Sequence, residues 1–154
     1  MEYQRKRKRI VKMAKRIKKN TELLIDGENI GAKKAGRIMN AALTQGVVYE
    51  SKVYGRQKDE RTKRWSDKAR ECGMADIRLF GKPEKNKVDN KIKKDARKVV
   101  AMHKNVDVVC IATNDGGFVD VIKELRSQGK RVVVIGESQA PEKLRKSCSE
   151  FIEI

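Results

Sequence analysis

Two apolar runs in this sequence lead directly to aspartates. LLIDGENIG (residues 23–31) carries Asp26 at the end of its run and Asn29 three residues on, while VDVVCIATNDGG (residues 106–117) reaches Asp115 through Thr113 and Asn114. A third acid, Asp89, stands in NKVDNKIKKDA (residues 86–96). Aspartates collected from separate segments suit a hard divalent cation. Mg²⁺ takes oxygen ligands, keeps several waters, and is usually bound by one or two carboxylates together with substrate phosphate. Such an ion generates an attacking hydroxide and stabilises a leaving oxygen, and paired ions sit about 3.5–4 Å apart.

On this reading Asp26, Asp89 and Asp115 are direct or water-mediated ligands of Mg²⁺ or Mn²⁺, and Asn29 positions a water or a phosphate oxygen. Each acid also has a plainer explanation. Asp26-Gly27 and Asp115-Gly116 are common turn dipeptides, and Asp89 is placed to cap a helix. What favours a site is the convergence that the surrounding elements impose.

Those elements alternate. Strand-like runs at 22–26, 47–54, 75–80, 106–113, 131–136 and 151–154 are separated by helix-like periods at 33–45, 62–72, 89–103, 117–128 and 141–148. Ala35, Ile38, Met39, Ala42 and Leu43 share one helical face, and Ile92, Ala96, Val99, Val100 and His103 another. Alternation with continuous apolar strands predicts an α/β fold, a mostly parallel sheet with helices on both faces. Crossovers in such a sheet are right-handed and ligands bind beyond the carboxyl ends of the strands. Asp26 and Asp115 then emerge on one rim. Two basic connections open there too, bringing Arg56, Lys58, Arg61, Lys63 and Arg64 from one and Lys82, Lys85 and Lys87 from the other. The expectation is a small acidic centre ringed by nucleic-acid-binding cations.

Charge supports a polyanionic partner. The 154 residues carry a net +17, of which residues 1–19, with ten basic residues and one acid, hold +9 and leave +8 for the rest. A basic body with a more basic arm gains affinity for nucleic acid by releasing counterions. The arm, residues 1–20, reads as separate from a domain at 21–154. Ile10, Met13, Ala14 and Ile17 would form a narrow helical stripe, but the charge density favours an arm disordered until it grips phosphate.

Other chemistries find little support. His103 is the only histidine, and Cys72, Cys110 and Cys148 form no CxxC pair, so they read as free thiols in a reducing, cytoplasmic setting. No Ser-His-Asp set can be built, and no dinucleotide or P-loop fingerprint is present. No stretch is apolar enough for a membrane span or a secretory signal. Trp65, between basic neighbours, reads as core packing rather than a base-stacking residue, and Asp95 and Asp120 as solvated helix residues.

The segments IDGENI (25–30), KVDNKIKKDA (87–96), ATNDGGFVDVIKELRSQGKRVVVIG (112–136) and APEKLRKSCSEFIEI (140–154) together resemble the NYN domain, the LabA-like branch of the PIN-like nucleases. The likeness spans roughly residues 22 to 154. It implies a three-layer α/β/α fold and metal-dependent ribonuclease chemistry. Asp26 and Asn29 match the family's first-strand motif, Lys87 and Asp89 its Lys-x-Asp helix start, and Asp95 a further acid. The family's Ser-Gly-Asp-Ser-Asp-Phe reads here Thr113-Asn114-Asp115-Gly116-Gly117-Phe118, so Gly117 stands where a second acid belongs. That loss weakens a second cation site, for which Asp120 is a speculative substitute, and leaves three aspartates for one Mg²⁺ or Mn²⁺.

The resemblance thus implies a cytoplasmic, metal-dependent endoribonuclease acting on RNA. The alternative is an RNA-binding regulatory module with little turnover, favoured by Gly117. Nothing in the sequence reads a 2′-hydroxyl, so DNA stays open as a substrate, and so does the oligomeric state, a homodimer included.

Overall fold

The computed structural model describes residues 1–17 and 19–154, with side chains for 1–13 and 19–154. Lys18 and the side chains of Lys15, Arg16, Ala14 and Ile17, part of the expected charge run and stripe, lie outside the described set.

Six strands make one sheet: β1 (Asn20–Asp26), β2 (Val47–Arg56), β3 (Ala75–Leu79), β4 (Val108–Ala112), β5 (Arg131–Gly136) and β6 (Glu150–Glu153), in the order β3-β2-β1-β4-β5-β6. Every neighbouring pair is parallel. The helices are α1 (Glu2–Ile17), α2 (Ala35–Leu43), α3 (Glu60–Cys72), α4 (Lys87–Met102), α5 (Val119–Ser127) and α6 (Glu142–Ser147). After β1 the chain builds β2 and β3 to one side, then returns to place β4 on the other. The strand order therefore reverses between β1 and β4, the place where α/β sheets open a crevice for ligands.

Both faces of the sheet are covered. Leu24 of β1 joins Val88, Ile92, Ala96 and Val99 of α4, Val121, Ile122 and Leu125 of α5, and Leu144 of α6. Leu23 and Ile25, pointing the other way, meet Ala35, Ile38, Ala41 and Ala42 of α2 and Trp65 and Ala69 of α3. Each fully buried aliphatic side chain contributes about 1.5–3 kcal/mol, and β4 is buried along its whole length. The expected three-layer α/β/α architecture is the one observed.

Local differences have local causes. The helix expected over 33–45 opens as a 3₁₀ turn, Ala32–Lys34, and turns Ala41 inward while Leu43 is 52% exposed. Ala41 sits three residues from Ile38, whereas Leu43 falls off that stripe. α3 starts two residues early because Asp59 caps it, accepting a hydrogen bond from the Arg61 backbone N–H at 2.8 Å. The strand expected over 75–80 stops at Leu79, since Gly81 takes φ +96 and bends the chain away. His103 lies exposed past the end of α4 instead of sharing its buried face. The arm, expected to be disordered, is helical over Glu2–Ile17, a Lys/Arg-rich run without glycine or proline.

Candidate active site

The register of β1 against β4 pairs Ile25 with Ala112, so the next residues on each strand, Asp26 and Thr113, meet beyond the sheet. Thr113 Oγ1 donates to Asp26 Oδ2 at 2.9 Å and Asn29 Nδ2 donates to the same oxygen at 2.5 Å. Asn29 reaches it because the backbone turns immediately: the Asn29 and Ile30 N–H groups both bond to the Asp26 carbonyl. Gly27 is needed for a different reason from turn formation. A Cβ there would lie 2.6 Å from the Tyr54 carbonyl oxygen, to which the Gly27 N–H donates at 3.0 Å.

Asp115 is drawn to the same place. Its N–H donates to Thr113 Oγ1 at 3.1 Å, and its Oδ1 accepts from the Gly117 N–H at 2.8 Å. The turn-capping role considered for Asp115 is thus real, and it leaves Oδ2 free of that duty. Asp89 is no helix cap. Asn86 occupies that position, with φ +63 and no side-chain cap bond, and Asp89 is the third residue of α4, only 8% exposed. Asp115 lies close enough to raise its carboxyl, by hydrogen bonding and by charge.

Three acids from three segments therefore lie near enough to act on one another's charge. Burial, then the hydrogen bond to Asp115 and the charges of Asp26 and Asp115, push the Asp89 carboxyl up to about 7, against the pull of Lys93. Asp26, wholly buried, is also raised, by burial first; the bonds from Asn29 and Thr113 oppose the rise and the charge of Asp115 adds to it. A buried carboxyl facing other acids is held toward its neutral form. Among the described residues, no three His, Cys, Asp or Glu side chains form a ready-made metal cage.

The donor set nevertheless fits a hard cation. Asp26 Oδ1 is buried without any hydrogen-bond partner, a costly state for a carboxylate oxygen unless something else satisfies it. Like-charge crowding of the other two is the strain that a bound cation relieves.

The expected basic ring divides into two classes. Arg56 pairs with Glu28 at 3.2 Å and donates to the Glu84 carbonyl at 2.7 Å; Arg61 donates to the Glu28 carbonyl; Lys63 pairs with Glu60 at 3.3 Å. Lys87 Nζ holds the Phe80 and Lys82 carbonyls. These cations shape the loops. Lys58, Arg64, Lys82 and Lys85 are exposed and, among the described residues, have no acidic partner, so they are the ones free for phosphate.

Two cations escaped the sequence reading. Lys93, one turn beyond Asp89 on α4, lies 5.6 Å from the centre of the Phe118 ring and lowers the Asp89 carboxyl. Its spacing of four from Asp89 was the available signal. Lys143 of α6 crosses over Gly116, where a Cβ would lie 3.1 Å from its Nζ; no local pattern announces that contact.

Other candidates fall away. Asp95 accepts from Tyr54 Oη at 2.7 Å and Lys91 Nζ at 2.9 Å; burial raises it, but these bonds outweigh that and hold it below the usual range. It serves β2 and α4 packing. Asp120 is exposed on the first turn of α5. Trp65 is buried and donates to the Ile30 carbonyl at 2.8 Å. Burial pushes the Cys110 thiol up to about 12, and all three cysteines are free.

A family model of the NYN domain matches residues 20–154. The chain belongs to the NYN domain family. NYN domains are generally nucleases, of the PIN-like kind, and the match takes in every residue of the acidic trio. The fold is shared with the crystal structure of a protein of unknown function from Vibrio parahaemolyticus, with a TM-score of 0.73 and 19% identity over 90% of this chain and 94% of that one. No curated protein matches the chain. Among the described residues no helix of this NYN protein is long and apolar enough to cross a membrane.

Proposed function

We propose that this NYN domain is a cytoplasmic, divalent-metal-dependent endoribonuclease that hydrolyses RNA phosphodiester bonds. The observation carrying that reading is the crowding of Asp26, Asp89 and Asp115, from three segments, at the strand-order reversal. When bound there, Mg²⁺ or Mn²⁺ would supply Lewis-acid activation of water and neutralise charge at the scissile phosphate.

The chain's own groups have separable tasks. Asn29 and Thr113 fix Asp26 Oδ2, which leaves Oδ1 as the oxygen without a partner. Asp89, raised to about 7 by burial first, must lose its proton before it can act as a donor, so cation affinity falls as pH drops below about 7. Lys93 and Lys143 flank the centre as positive groups able to meet phosphate oxygens. Lys58, Arg64, Lys82 and Lys85 hold the backbone further out.

The test is cleavage of a mixed RNA by purified protein with Mn²⁺ and with EDTA, beside Asp26→Asn. Cleavage should need the metal and vanish in the variant; cleavage that survives both would sink the proposal. A second reading, an RNA-binding module with little turnover, is favoured by Gly117, which offers Asp115 an N–H in place of a carboxylate. It expects salt-dependent RNA binding without cleavage, and activity gained in Gly117→Asp.

A further inference from the structure

Phe80 follows the last residue of β3 and is 64% exposed, while its neighbour Leu79 packs against the core. The loop that presents it is anchored. Gly81, at φ +96, turns the chain directly after the ring, and Lys87 Nζ is drawn onto the Phe80 and Lys82 carbonyls. Arg56 ties the far side of the loop by donating to the Glu84 carbonyl at 2.7 Å. A cleft of about 410 Å³ lies beside the ring, walled by Leu79, Phe80 and Pro83 and edged by Arg56, Lys58 and Lys87. Neither Lys58 nor Lys82, which also borders the cleft, has an acidic partner among the described residues.

We propose that Phe80 is a stacking platform for one base of a single-stranded nucleic acid, with Lys58 and Lys82 holding the adjoining phosphate. An aromatic face presented beside cations on a rigid loop is how strand-binding proteins take a nucleotide without reading its sequence. Charge settles the choice of occupant: free lysines on a chain of net +17 favour a polyanion. The position also matters. Lys87, which fixes Phe80, opens the same first turn of α4 that carries Asp89, so the ring is tied to the end of the helix that bears one of the acids. A duplex keeps its bases stacked inside and cannot use the ring. The inference rests on the proposed nuclease reading for its substrate, but it concerns binding alone.

The experiment is metal-free. A single-stranded RNA containing one 2-aminopurine is titrated with protein in EDTA, reading both affinity and the fluorescence quench that stacking produces. Phe80→Ala should weaken binding roughly 5- to 100-fold and abolish the quench at one labelled position, whereas Phe80→Trp keeps both. Affinity for a blunt RNA duplex and for heparin should not change. The proposal is overturned if Phe80→Ala binds and quenches like the parent, if Phe80→Leu does as well as Phe80→Trp, or if heparin binding falls in parallel. Thermal melts of each variant separate a binding loss from unfolding. Failure of wild-type cleavage in Mn²⁺ would count against the nuclease reading and leave this result untouched; normal cleavage with an unaltered Phe80→Ala titration would do the reverse.

Discussion

Replacing Asp89 by asparagine should make the metal-free protein more stable while destroying its chemistry. Asp89 is 8% exposed and its carboxyl is pushed from 3.8 up to about 7, by burial first and then by Asp115 and Asp26. A carboxyl whose folded pKa is raised lends stability that is complete below its unfolded value and lost as pH rises through the folded one. At pH 8 wild-type Asp89 is therefore ionised at a cost. The whole rise corresponds to about 4 kcal/mol, an upper bound because the charge is shared with Asp115 and Asp26. An amide keeps a donor toward Asp115 and has no charge to lose, so Asp89→Asn should gain about 1–3 kcal/mol at pH 8. In a domain of this size each kcal/mol moves the melting temperature by about 2–4 °C. Melts in EDTA from pH 4 to pH 8 should show the variant's advantage absent at pH 4 and growing through pH 7. Adding Mn²⁺ should raise the wild-type melt and not the variant's. A variant less stable than wild type in EDTA at pH 8, or an advantage that ignores pH, would refute the crowding on which the site is built.

Glu22 makes a similar test away from the site: burial, then Glu50, lifts it to about 7 against Lys52, so wild type should lose up to about 3 kcal/mol between pH 4.5 and 7 relative to Glu22→Gln, read by denaturant melts. Gly27→Ala sets a methyl against the Tyr54 carbonyl and should cost about 1–3 kcal/mol by overpacking, measured by urea unfolding. Lys58→Gln with Lys82→Gln should reduce the slope of log affinity against log salt for single-stranded RNA by about 1.4, two phosphate contacts' worth. Gly116→Ser displaces the Lys143 side chain and should weaken RNA binding in EDTA more than it lowers the melting temperature.

The sheet was legible because buried parallel strands announce themselves: VDVVCIAT can be little else, and its continuation into Asp115 fixes which end of the strand carries the chemistry. The approach of Asp26 and Asp115 was legible for the same reason, since parallel strands put the ends of β1 and β4 on one rim. What the sequence could not show was state. Whether Asp89 caps α4 or turns into the site depends on Asn86 taking a left-handed backbone conformation, and whether a lysine is free depends on carbonyls brought near by folding. Lys87 and Lys58 look alike in a basic loop, yet one braces the loop and the other faces solvent. Phe80 read as the last residue of a strand; only the turn at Gly81 shows that it faces outward.

The contrast between ring and centre explains how so basic a protein keeps three neighbouring acids, two of them buried. Lys93 lowers Asp89, and two arginines of the ring are spent elsewhere: Arg56 on Glu28 and the Glu84 carbonyl, Arg61 on the Glu28 carbonyl. Had the ring been free to close on the trio, each aspartate would be paired and held low, as Asp95 is by Lys91 and Tyr54. Instead Asp89 is held toward its neutral form, by burial first, and one oxygen of Asp26 is left unpartnered. A site so arranged has more to gain from an incoming positive charge than a neutralised one, because ligand binding and relief of burial act on the same atoms. The Arg56–Glu28 ion pair and the Arg61 bond to the Glu28 carbonyl thus keep positive charge engaged one layer out.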